Sequence, residues 1–175
     1  MLSGDDIVVL IGIMGAAVAL AGFASLVTSI DRNAAGASAA VISFQVRVLI
    51  VGAWCAVLLS LLPIGFDALM IAPHSLWQCA SMVGAWVLSA VVWRAWTDRT
   101  HLRGADALGF SRILFVVNIA LNVLAVLVAM LGAVGIVPGK GAFLFGIFYL
   151  IFLTGTLFYR LIQMADEAAR GIGHR

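Results

Sequence analysis

The sequence predicts an all-α integral membrane protein, a bundle of five transmembrane helices. Three observations predict it. Of 175 residues, 64% are hydrophobic and only 10% charged, whereas soluble domains run at about 45–50% and about 25%. Five separate stretches reach the roughly 20 apolar residues that a bilayer-spanning helix needs. Neither Leu10 to Ala24 nor Ile113 to Met130 alternates apolar with polar residues, as a barrel strand would. With a mean hydropathy of +1.17, the chain lacks the polar surface of a soluble fold. Disorder, nucleic-acid binding and a disulfide framework are excluded with it.

The first span, 7–30, carries no charge. The second, 43–66, has Arg47 near its start, and Pro63, Gly65 and Asp67 are expected to end it. The third, 75–97, follows Pro73 and His74, with Ser75 as candidate N-cap, and holds Arg94 near its end. The fourth, 111–137, starts beside Arg112, and the fifth, 141–163, has Arg160 near its end. Val137-Pro138-Gly139-Lys140-Gly141 reads as a tight turn that makes helices four and five an antiparallel hairpin. The residues left over are too few for an extramembrane domain, so 1–175 reads as a single transmembrane domain.

The basic residues give an orientation. Arg32, Arg47, Arg94, Arg99, Arg103, Arg112, Arg160, Arg170 and Arg175 fall on one side of a five-span chain, and Lys140 alone on the other, with Asp5, Asp6 and Asp67. The positive-inside rule places the arginines in the cytoplasm, the N-terminus outside and the C-terminus inside. The expected setting is a bacterial-type inner (plasma) membrane. So uneven a bias does not suit antiparallel dual topology, and any homo-oligomer is expected to be parallel. Asp5 and Asp6 stand where a signal peptide would be basic, so the first span reads as retained.

No Asp, Glu, Lys or His lies deep in any span. Proton relays, pumps and Schiff-base pigments depend on such groups. His74, His101 and His174 fall in separate segments, and no phosphate loop, nucleophile elbow or metalloprotease motif occurs. No catalytic residue, metal or cofactor is therefore expected. Cys55 and Cys79 differ in depth by roughly 10 Å at ~1.5 Å per residue and read as small apolar residues.

Polar residues inside the spans are the remaining signal. Asn118 and Asn122 share a face of helix four, with Ser111, Ala125, Ala129 and Gly132 continuing it. Thr156 continues a similar stripe on helix five, with Gly146, Tyr149, Arg160 and Gln163. Ser25, Thr28 and Arg47 lie in the same half of the membrane by span counting. Ser25, Thr28, Arg47, Ser111, Asn118, Asn122 and Thr156 are thus candidates for a polar pathway or anion-attracting vestibule. The opposing reading is helix contact through weak hydrogen bonds, and for Arg47 an interfacial arginine that snorkels. Gly12, Gly15, Ala19, Gly22 and Ser29 leave a smooth surface on helix one. It suits a central helix packed by others, or a contact between subunits. Trp77, Trp93 and Trp96 read as interfacial belt residues. Trp54 and Trp86, near mid-depth, are expected to face protein so that their indole N–H groups find partners.

Three functions stay open. One is a parallel homo-oligomeric pore lined by helices one, four and five. Another is an accessory or structural subunit of a larger membrane complex. A membrane enzyme ranks below both. The expected partners are the lipid bilayer and either further copies or another membrane protein, and no nucleic acid.

Overall fold

A computed structural model describes residues 2–30, 38–101 and 112–172. Among the described residues every regular element is a helix: α1 (Gly4–Ile30), α2 (Ser38–Ala68), α3 (Pro73–His101), α4 (Arg112–Ala133) and α5 (Gly139–Ile172). Each contains a segment long and apolar enough to cross a membrane. Helices meet this requirement because they satisfy their own backbone polar groups where no water is at hand.

Local chemistry sets the helix ends. At α1, Ser3 Oγ accepts from Asp6 N at 3.2 Å and Asp6 Oδ2 accepts from Ser3 N at 3.3 Å, a reciprocal capping box. α2 does not stop at Pro63. The proline is buried inside the helix, where it removes one backbone bond, and the helix runs five residues further. Its end is a Schellman turn, with Met70 N donating to Asp67 O and Ile71 N to Phe66 O. That turn holds Met70 at φ 58°, in the left-handed region. α3 opens at Pro73, the position where a missing N–H costs nothing, so Ser75 lies inside the first turn and is not the cap. α4 ends at Ala133, short of the expected 137. Gly135, at φ 80°, closes a second Schellman turn, in which Ile136 N donates to Leu131 O.

α5 is the centre of the bundle. Among the described residues it packs along α1, α2, α3 and α4, whereas α1 packs chiefly along α2 and α5, and α4 chiefly along α3 and α5. Ile147, Leu150 and Leu153 of α5 join Leu49, Ala53 and Leu59 of α2 and Leu88 of α3 in one core. Close helix approach depends on glycine. A Cβ at Gly132 would collide with the Cβ of Ala142, and one at Gly52 would sit 2.8 Å from Thr154 Cγ2.

Two expectations are corrected. Helix one is not the central helix: 17% of its membrane segment is buried, against 44% for α5. It meets the bundle through Leu10, Ile13 and Ala17. Trp54 and Trp86 do not face protein, being 61% and 80% exposed. Their large apolar rings stand on the outer surfaces of α2 and α3.

One end of the bundle is laced by charge. Lys140 of α5 is ion-paired with Asp6 of α1. Leu2 N donates to Asp67 Oδ1 at 3.0 Å, fastening the chain start to the end of α2.

Candidate functional site

Asn118 and Asn122 are one turn apart on α4, and α5 covers both. The Tyr149 hydroxyl of α5 donates to the backbone carbonyl of Asn118 at 3.0 Å. It also stands next to the Asn122 amide. Asn122 is 2% exposed, and its Nδ2 has no hydrogen-bond partner. An amide in apolar surroundings without a partner costs roughly 2–7 kcal/mol, depending on the reference state. Ala125 and Ala129 on the same face are buried, and so is Gly132. The small stripe of α4 thus makes a close helix contact.

The other pathway candidates do not join this pair. Ser25 is exposed on α1 and its hydroxyl donates to Gly22 O at 2.7 Å. Thr156 donates to Leu153 O at 2.8 Å, within its own helix. Arg47 is exposed on α2. Ser111 lies outside the described residues, and so do the side chains of Thr28 and Ser29. Since α1 packs on α2 and α5 while α4 packs on α3 and α5, Ser25 and the asparagines belong to different seams.

Gly12, Gly15 and Gly22 have open space where a Cβ would stand, and Ala19 is exposed. At about 100° per residue these four positions centre roughly opposite Leu10, Ile13 and Ala17. The smooth face of α1 points straight away from the bundle.

Sequence reading missed the outer face of α3. Trp86, Ser89, Ala90, Trp93, Arg94 and Thr97 recur at helical spacing and line a groove of about 640 Å³. A second groove of about 400 Å³ runs between α3 and α4 and shares Ser89 and Trp93 with the first. Ser89 donates to Ala85 O at 2.8 Å, and Thr97 to Arg94 O at 2.9 Å. Both hydroxyls thus spend their proton on their own helix. The 86–89–93–97 spacing was the available signal: two tryptophans two turns apart, separated by small residues.

No family model, no curated protein and no solved structure matches this chain.

Proposed function

We propose that this protein is an accessory subunit of a larger membrane complex that works by lateral contact, holding a transmembrane helix of a partner protein along the smooth face of α1. Its setting in this reading is a bacterial-type inner membrane, with the N-terminus outside and the C-terminus in the cytoplasm. The observation that carries the reading is the open space in front of Gly12, Gly15 and Gly22. Lipid chains are as apolar as leucine, so helices associate in a bilayer through close packing of small residues. This chain already uses that device internally, at Gly132 against Ala142, Gly52 against Thr154 and Gly146 against Leu88. α1 offers the same device outward. A conducting role has weaker support, because the most polar face, at Asn118 and Asn122, is taken up by α5.

Site-directed cross-linking tests the reading. Gly15→Cys and Gly22→Cys, each in a chain with Cys55 and Cys79 replaced by alanine, are treated with a short thiol cross-linker in native membranes. The expected result is an adduct heavier than the chain, lost on Gly12→Leu, with Met82→Cys on the outer face of α3 giving none. An adduct of twice the chain mass replaces the partner by a second copy. Absence of any α1 adduct refutes lateral docking.

A further inference from the structure

We infer that the outer face of α3 is a seat for an anionic diacyl phospholipid, with its phosphate at Arg94 and its two acyl chains on either side of Trp93. The site is separate from the α1 face, and the inference stands apart from the docking reading. Two grooves carry it. One, of about 640 Å³, runs along α3 from Trp86 past Ala90 and Trp93 to Arg94 and Thr97. The other, of about 400 Å³, is lined by Val92 and Trp96 of α3 and by Val123 and Leu127 of α4. They have Ser89 and Trp93 in common, and Trp93, 72% exposed, is the ridge between them.

The polarity of the first groove runs the way a phospholipid does. No charged residue occurs between Ser75 and Trp93, and Arg94 opens a polar run with Thr97, Asp98 and Arg99. In a bilayer the charged end of the groove falls at the head-group level and the Trp86 end in the hydrocarbon. Trp86 and Thr97 are roughly 16 Å apart along the helix at ~1.5 Å per residue, the reach of a head group and the upper part of an acyl chain. Trp93, next to Arg94 in the chain, has the amphipathic ring that favours the interfacial level.

Charge and shape together select the occupant. Among the described residues Arg94 is the only charged one in the wall of either groove, and a guanidinium holds phosphate oxygens bidentately. It has five N–H donors, so a contact within the chain and a phosphate oxygen can be held at once. Ser89 and Thr97 turn their hydroxyl protons to their own backbone, which leaves the guanidinium to recognise the head. A partner helix needs one continuous trough. An indole standing between two apolar channels fits a forked molecule instead, and a diacyl lipid is forked below a single anionic group. A free phosphate has nothing to place in either channel.

The full chain in nanodiscs tests the seat. Lipids kept after delipidation are weighed by native mass spectrometry, with phosphatidylglycerol compared against phosphatidylcholine of the same chains and against its own single-chain lyso form. The expected result is preferential retention of the diacyl phosphatidylglycerol, undisturbed by excess inorganic phosphate. Arg94→Gln is expected to lower that preference about fivefold, the effect of one basic residue at an anionic surface. Arg47→Gln, at an exposed arginine of α2, is expected to change it less. Ala90→Phe fills the first groove from an exposed position and keeps every charge, so it is expected to reduce retention as Arg94→Gln does. Equal retention of the two head groups or of the lyso form, equal losses at Arg47 and Arg94, displacement by inorganic phosphate, or full retention in Ala90→Phe overturns the seat.

Discussion

Lys140, the second residue of α5, is ion-paired with Asp6 in the first turn of α1. A lysine at a helix N-terminus faces the positive end of the backbone dipole, and the Asp6 carboxylate offsets that misfit. The same carboxylate accepts from Ser3 N in the α1 capping box. One side chain therefore caps a helix and ties it to the central helix. Asp67, on the same side of the chain, does a similar job for Leu2.

The pair predicts a measurable coupling. In a double-mutant cycle with Asp6→Asn and Lys140→Met, unfolded by denaturant in mixed micelles, the coupling is expected to be about 0.2–1 kcal/mol, because the Lys140 side chain is half exposed. It should shrink as salt rises. Asp6→Asn alone should cost more than Lys140→Met alone, because it also weakens the cap. A coupling of zero at low salt would show that the two charges act independently.

Met70 predicts a stabilising substitution. A non-glycine residue in the left-handed region costs about 1–2 kcal/mol, while a glycine gives back roughly 0.5–1 in backbone entropy. Met70 is 91% exposed and packs against little. Met70→Gly is therefore expected to raise stability by about 0.5–1 kcal/mol, as the difference of those two effects. Gly135→Ala, at the matching position of the second Schellman turn, should lower it by about 1 kcal/mol or more. A thermal unfolding series in one detergent reads both signs.

Gly132 and Gly15 should respond oppositely to alanine. At Gly132 the added methyl meets the Ala142 Cβ and lies 3.3 Å from Ser81 Oγ. Overpacking of this kind costs about 1–3 kcal/mol. At Gly15 nothing stands within 4 Å, and alanine should leave the isolated chain unchanged or slightly more stable. Equal loss at both sites would mean that α1 is packed on its outer side.

Tyr149→Phe removes the hydroxyl that donates to Asn118 O. Interhelical hydrogen bonds in membrane proteins average only ~0.6 kcal/mol, so the loss should be small. Thermal unfolding of the variant beside the parent chain in one detergent reads the difference. A loss of about 2 kcal/mol or more would show that the hydroxyl also satisfies the buried Asn122 amide beside it.

The five helices were legible because charge is costly in lipid: each span is a run from which Asp, Glu and Lys are missing. Helix ends were less legible. Pro63 looked like a stop, yet α2 absorbs it, since a buried proline loses one bond while neighbouring turns hold. The facing of each helix was the hardest to read. In water an apolar stripe marks the core, but in a bilayer both faces of α1 are apolar, so its direction rests on close-range fit. For the same reason Trp54 and Trp86 were placed against protein when they face outward. Asn118 and Asn122 were legible as one face because four-residue spacing is geometric. That α5 would cover them, and that a groove would open toward Trp93, depends on how α3 and α4 lean together.

The helix that all others touch is also the last of the five to be synthesised. A ribosome thus delivers the walls of this bundle before its middle. Translation that halts ahead of Gly139 leaves Leu49, Leu88 and Ala125 without the α5 residues of their shared core. Such a fragment is expected to be short-lived, because a chain with an unfilled core is open to proteolysis. A separately expressed α5 that extended this lifetime would show that the central helix can still be supplied after the fact.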